Sequence, residues 1–438
     1  MKNIHIYYRR ISSLMLIFGC GILIHAQQTP GAPQSQSILI TGATAHLGDG
    51  TVLENSALGF SEGKIVEINS SDAIQNSYDR TIDARGKHLY PGFIALNATL
   101  GLVEIDAVRP TNDVDELGQF IPHIRSIIAY NAESRIVESV RPNGILTAQI
   151  CPRGGSISGK SSVVQLDAWN WEDAALKIDE GIHLNWPSPY QSGRWWLGED
   201  PTLKANKNYP KQVQSIRSFF EQAQAYHQNS KGQRTNLPLA AMKGVFEGQT
   251  QIYVHASQEK QIVDAIVFLK SMGLEKIVLV GGEDGTKQVQ FLKKHKIPVV
   301  INQPHTLPKG EDDDPKETFK RAATLQKAGL VVGIDVRGRM ERMNTRNLPF
   351  YAGSFAAYGM DKEDALGLIT LNAAKILGMD AQLGSLAVGK DATFFLSAGD
   401  ALDMRTNQLE HAFIQGRELS LETHQTQLWK RYLPKVTE

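Results

Sequence analysis

Disulfide chemistry has almost nothing to work with in this chain, which carries two cysteines, Cys20 and Cys151, in 438 residues. Cys20 lies in an apolar N-terminal run; once that run is removed Cys151 has no partner within the chain, so the fold must stand without an internal disulfide. Net charge is absent too, with 46 Lys and Arg against 46 Asp and Glu. Such a balance lacks the electrostatic footprint of a nucleic-acid or anionic-membrane binder, and both partner classes are set aside. After the N-terminus no apolar run is long enough to span a bilayer, and there is no internal repeat or low-complexity tract. What the chain does have is 42% apolar content, enough for one large domain plus a minor one.

Lys2, Arg9 and Arg10 precede an apolar run from Leu14 to Ile24. This order of charge and apolar residues predicts a secretory signal over residues 1–26, cleaved after Ala26, and therefore a secreted or periplasmic mature protein. A loose lipobox, Ile17-Phe18-Gly19-Cys20, offers lipid attachment through Cys20 instead; the apolar residues Gly21 to Ile24 beyond the cysteine argue against it. Residues 27–36 read as a polar leader.

From residue 37 to 90, short β-branched runs such as Ile38-Leu39-Ile40 and Lys64 to Ile68 alternate with Gly-centred turns at Gly48-Asp49-Gly50 and Glu62-Gly63. They predict a small antiparallel β-unit. A matching unit spans 384–420, with strands at Ala392 to Ser397 and His411 to Gly416, and 421–438 forms a C-terminal tail or helix. Between the two units, residues 91–383 alternate strand-like runs with amphipathic helices, the pattern of parallel β/α units. Examples are strand Ile252 to Val254, helix Glu259 to Ser271, strand Lys276 to Val280, helix Thr286 to Lys294, strand Ile297 to Ile301, helix Thr318 to Lys327 and strand Leu330 to Ile334. The expectation is an α/β fold, a TIM-type (β/α)8 barrel with a small composite β-sandwich formed by its N- and C-terminal flanks.

Several motifs carry possible chemistry. Residues Gly154 to Ser161 satisfy the phosphate-loop spacing G-x-x-x-x-G-K-S, but a phosphate loop must open a helix, whereas Ser162 to Leu166 reads as a strand. A Gly-rich loop after a barrel strand is the better reading. Five of the six tryptophans lie between Trp169 and Trp196, either covering a barrel face or forming a stacking wall for a substrate. Within that segment Gly181 to Trp186 is strand-like and could aim His183 at the barrel mouth as a substrate-binding residue, against the alternative of a satisfied structural histidine. Arg337, Arg339, Arg342 and Arg346 follow the last barrel strand; Arg337 and Arg339 are candidates to bind a substrate carboxylate, against the alternative of a solvated, salt-bridged loop. The acidic run Glu311 to Asp314 lacks the alternating spacing of a calcium loop and reads as a solvated turn. Cys151 reads as a buried, inert thiol.

Two end blocks carry a family likeness. Thr41-Gly42-Ala43, Asp83-Ala84-Arg85-Gly86-Lys87 and Tyr90-Pro91-Gly92-Phe93-Ile94 at one end, with Ile369 to Gly378, Leu383-Gly384-Ser385-Leu386 and Val388-Gly389-Lys390-Asp391-Ala392 at the other, resemble the amidohydrolase superfamily, its imidazolonepropionase-like group in particular. The resemblance covers nearly all of the mature chain. It implies a barrel with its site at the C-terminal mouth of the strands.

The resemblance also implies a metal-ligand set, and this sequence matches it incompletely. The His-x-His expected at the end of the first barrel strand is Asn97-Ala98-Thr99. The strand-five imidazole matches His255, the strand-six imidazole is replaced by Gly281-Gly282, and the final aspartate matches Asp335. No strand-four lysine is evident. Replacing imidazoles by an amide and a hydroxyl weakens a zinc-type site, so the resemblance implies one divalent ion, zinc above all, on His255 and Asp335 with weaker help from Asn97 and Thr99, or none. Catalysis would rest on Asp335 and His255, hydrolysing a carbon–nitrogen bond of a small amide, imide or peptide-like molecule. The alternatives are a degenerate relative that binds a ligand or partner without turnover, and a different reaction in the same pocket. Homo-oligomers, or hetero-oligomers with an intact paralogue, stay in view.

Overall fold

The computed structural model describes residues 29–229, 234–307, 313–338 and 340–437. The expected signal over 1–26 with Cys20, the candidate Arg339, and Glu311 and Asp312 of the acidic run lie outside the described residues. Among the described residues no helix is long and apolar enough to cross a membrane.

Strands β1 (Ile38–His46), β2 (Val52–Ser61), β3 (Lys64–Ser70), β4 (Arg80–Asp83) and β5 (His88–Pro91) form the N-terminal flank. The barrel strands are β6 (Phe93–Ala98), β7 (Ile145–Ile150), β8 (Ile157–Gln165) and β9 (Ala175–Asn185), then, after a small hairpin of β10 (Tyr190–Gln191) and β11 (Lys204–Ala205), β12 (Gln251–Ala256), β13 (Ile277–Gly281), β14 (Val299–Asn302) and β15 (Val332–Asp335). The chain closes with β16 (Phe394–Ser397), β17 (Leu409–Ile414) and β18 (Arg417–Glu418).

Both flanks join into one eight-stranded sheet in the order β18-β17-β16-β5-β1-β2-β3, with β4 also paired to β1. Alternation along β16 shows what each face does. Phe394 meets Phe60 edge-on at 5.1 Å and Phe413 at a tilt at 5.1 Å in the flank's own core, while Phe395 turns to Tyr90 and Phe93 beneath the barrel.

The eight barrel strands close in the order β12-β13-β14-β15-β6-β7-β8-β9. The helix expected over Glu259 to Ser271 forms over that range, started by a reciprocal Gln258–Gln261 capping box and burying Ile262, Ala265, Ile266 and Leu269 at helical spacing. One strand departs from the all-parallel pattern: β8 runs antiparallel to both β7 and β9. The cause is local, because only Cys151 to Ser156 separate β7 from β8, and a parallel crossover takes a dozen or more residues. The phosphate-loop spacing dissolves into this hairpin: Gly159-Lys160-Ser161 lie inside β8, no helix follows them, and Lys160 sits 3.6 Å from Asp179.

The helix Leu371–Leu377 closes the end of the barrel where the strands begin. Its Ala373, Ala374, Ile376 and Leu377 pack with Ile94, Leu96, Val278 and Val300, and Lys177 and Gln251, at the starts of β9 and β12, hydrogen-bond its last carbonyls. The polar residues therefore gather at the opposite end.

Candidate functional site

Asn97, one residue before the end of β6, takes a left-handed conformation, φ 49°, one that asparagine tolerates better than most residues. The β6–β7 register slips between Ala95 and Ala98 at this point, and the freed Asn97 amide N–H donates to Gln149 Oε1 at 2.9 Å. This bulge aims the Asn97 side chain across the mouth, where Nδ2 donates to Asp335 Oδ2 at 2.6 Å. Asp335 ends β15, is 1% exposed, and among the described residues accepts on Oδ1 a single long bond, 3.3 Å, from the Arg337 backbone N–H. Burial pushes its carboxyl up to about 6, against the pull of Arg337, Asn97 and Arg153.

His255, next to last in β12, has both ring nitrogens engaged. Arg337 Nη1 stands 3.1 Å from Nδ1, and His183 Nδ1 stands 2.9 Å from Nε2. A guanidinium only donates, so Nδ1 of His255 accepts and its proton sits on Nε2. His183 Nδ1 must then accept that proton's bond, which leaves the proton of His183 on Nε2, a buried atom with no hydrogen-bond partner. Burial is the main cause that keeps both rings neutral, His183 down to about 3 and His255 well below its ordinary value. His183 also stacks on Tyr253 with centroids 4.9 Å apart.

The structure thus brings His183, His255, Asp335, Asn97 and Arg337 together. Thr99 is set to one side, donating to Glu341 Oε1 at 2.8 Å. The arginine run divides: Arg342 is buried and pairs with Asp106 at 2.6 Å, while Arg337 turns back to His255. The tryptophans form no common wall among the described side chains, since Trp186 is buried with its Nε1–H on Tyr209 and Trp169 and Trp196 are exposed. Cys151 is buried, and burial raises its thiol well above the ordinary value, as an inert thiol requires.

Sequence reasoning missed Arg153, Glu341, Glu180 and Gln149. Arg153, in the β7–β8 loop, donates through Nη1 to Asn97 Oδ1 at 3.0 Å and through Nη2 to the Asn97 carbonyl at 2.8 Å and Glu341 Oε1 at 3.1 Å. Deeper in the barrel the Glu180 carboxylate accepts from Gln149 Nε2 at 2.6 Å, Ser161 Oγ at 2.5 Å and Tyr253 Oη at 2.9 Å, and burial raises its pKa. Gln149 links the layers, since its Oε1 holds the Asn97 backbone and its amide holds Glu180.

A metal ion needs lone pairs aimed at one point. Here both His255 nitrogens and Asp335 Oδ2 are committed to other residues, His183 presents an N–H, and two guanidinium groups reach into the same space. Among the described residues no group of three or more His, Cys, Asp or Glu side chains is arranged to hold an ion. The set that the resemblance implied, His255 and Asp335 with Asn97 and Thr99, does not fit a metal in this arrangement.

Residues 223–419 match the family model of the amidohydrolase family. Among solved structures the chain is similar to an amidohydrolase from Thermotoga maritima MSB8, at 22% identity and TM-score 0.75 over 87% of this chain and 99% of that one. It is also similar to a prolidase complexed with N-methylphosphonate-L-proline, at 16% identity and TM-score 0.55 over 88% and 99%. An adenosine deaminase from Xanthomonas campestris with bound zinc matches at 13% identity and TM-score 0.53 over 92% and 100%. No curated protein matches the sequence. At these identities the solved structures show the shared fold, a barrel with a β-rich flank.

Proposed function

We propose that this chain, whose residues 223–419 match the amidohydrolase family model and whose fold is shared with a solved amidohydrolase, hydrolyses a carbon–nitrogen bond of a small amide, imide or peptide-like molecule at this barrel mouth, with Asp335 as the base. One observation carries the reading: a buried carboxylate with pKa about 6, ionised at neutral pH yet basic enough to take a proton, sits at the strand end where barrel enzymes work. Asn97 holds Oδ2 and leaves Oδ1 as the basic edge. That edge takes a proton from water as the water oxygen adds to the substrate carbonyl carbon; the tetrahedral intermediate then expels the amine, which leaves with the proton.

Binding without turnover is the second reading, favoured by the engagement of both His255 nitrogens. A panel of amides, imides and proline-containing dipeptides, the last suggested by the name of the prolidase neighbour, separates the two. Hydrolysis that Asp335→Asn abolishes in a folded protein supports the enzyme; ligand-induced stabilisation without product across the panel overturns it. Export completes the proposal. It rests on Lys2, Arg9 and Arg10 before the apolar run, and N-terminal sequencing of the protein from its native host should begin at Gln27; a retained Met1 overturns export, and a lipid on Cys20 overturns cleavage after Ala26.

A further inference from the structure

The mouth contains a permanent cation whose role neither the family likeness nor the proposed hydrolysis assigns. Arg153 stands in the short β7–β8 loop, and its guanidinium donates to Asn97 Oδ1, the Asn97 carbonyl and Glu341 Oε1 across the mouth, and more weakly to the Cys151 and Pro152 carbonyls of its own loop. Thr99 donates to that same Glu341 oxygen. Both positions that the family likeness marks on β6, Asn97 and Thr99, are therefore tied to one guanidinium, directly or through one carboxylate. The charge of Arg153 also acts on Asp335, His255 and His183, so it lies among all the groups that would otherwise surround an ion.

We infer that the Arg153 guanidinium takes the place of a divalent metal ion in this barrel mouth, as a cation built into the chain and held in a cradle of oxygens from Asn97 and Glu341. The chemistry of the cradle suits the exchange. Carbonyl, amide and carboxylate oxygens present lone pairs to a cation of either kind, but a guanidinium cannot be deprotonated in a protein and needs no supply from solution. Asn97 serves it well, because one amide donates to the Asp335 carboxylate and accepts from Arg153. With Arg153 present, the positive charge of the mouth comes from the chain, and the seat is closed to zinc.

This inference rests on the mouth being the functional site but not on hydrolysis, so its test reads metal binding. The full mature chain is freed of metal with a chelator, dialysed, and titrated separately with zinc and manganese, while bound metal is counted by elemental analysis and the melting temperature is followed. His255→Ala serves as the control for ions held elsewhere on the surface. Wild type is expected to hold no more metal than the control and to show no metal-dependent rise in melting temperature. Retention of about one ion per chain that falls in His255→Ala overturns the inference, since that is the stoichiometry of a rebuilt mononuclear site. Arg153→Met empties the cradle and is expected to bind manganese at least about tenfold more tightly than wild type, as oxygen donors favour that ion; an unchanged affinity also overturns it. Should that variant not fold, the wild-type and His255→Ala counts decide alone.

Discussion

Asp335→Asn is expected to make the protein more stable at neutral pH, although it removes the residue proposed as the base. Asp335 is 1% exposed, and burial raises its carboxyl from 3.8 to about 6. The folded chain therefore holds this proton more tightly than the unfolded chain. Well below pH 3.8 both states are protonated and burial of the group carries no ionic cost. As pH rises from there through about 6 the unfolded chain ionises first, and folding loses stability; above that window the loss levels off. Each tenfold in proton affinity is worth about 1.36 kcal/mol, so the full loss is about 3 kcal/mol.

An asparagine at 335 never ionises and keeps an oxygen to accept from Asn97. Its new N–H group can meet the Arg337 backbone N–H, which costs about 1 kcal/mol at every pH. The pH-dependent part is therefore the clean signal. Urea unfolding of both proteins at pH 4, 6 and 8 should show the variant gaining about 2.4 kcal/mol on wild type between the ends of the series, because at pH 4 the unfolded carboxyl is already partly ionised. A gap that stays constant with pH refutes the claim that the buried carboxylate is ionised at a cost, and with it the case for Asp335 as a poised base. In an active wild type, kcat/KM should fall below pH about 6 as the same group takes up its proton.

Three further outcomes follow from the packing. Gly181→Ala places a Cβ 2.2 Å from the Tyr253 ring; it should destabilise the barrel by about 1–3 kcal/mol, and an unchanged melting temperature would mean that Tyr253 does not fill the interior. Arg141→Met strips the buried Asp167 of its closest cation, leaving Arg417 at 3.6 Å and the Gly31 amide; a loss of about 3 kcal/mol in a denaturant melt is expected, and a neutral result would show that Arg417 suffices. Cys151 should react with iodoacetamide only after denaturation, because burial holds its thiol protonated and out of reach; labelling of the folded chain would contradict its placement.

What the sequence makes legible here is local and periodic. Helix Glu259–Ser271 shows its buried stripe at i, i+3, i+4 and i+7, and the flank strands show alternation between glycine turns, so both are readable from the order of residues alone. The antiparallel β8 is not. After Ile157 its first half, Ser158 to Ser161, offers two serines, a glycine and a half-buried lysine, with Gly159 at φ +127° beside the Ile124 carbonyl, so no hydrophobic alternation announces a strand. Its reversal was readable only from the shortness of the link from β7. His183 surfaced because it lies in a strand-like run, but its partner His255 is 72 positions away.

The candidate site was half legible for the same reason. Asn97, Thr99 and Gly281-Gly282 read as losses when each is set against the imidazole that the family likeness expects. In space, Asn97 is half of an exchange whose other half, Arg153, lies 56 positions on in a glycine-rich loop, and Glu341 lies 188 positions beyond that. An imidazole at 97 would offer one lone pair and one N–H on opposite edges of a rigid ring, whereas an amide offers both at one end of a short side chain, fitting between a carboxylate and a guanidinium. The missing ligand and the added cation thus form one arrangement: restoring histidine at 97 alone would take an acceptor from Arg153 without vacating its place, so Asn97→His should not by itself recover metal binding.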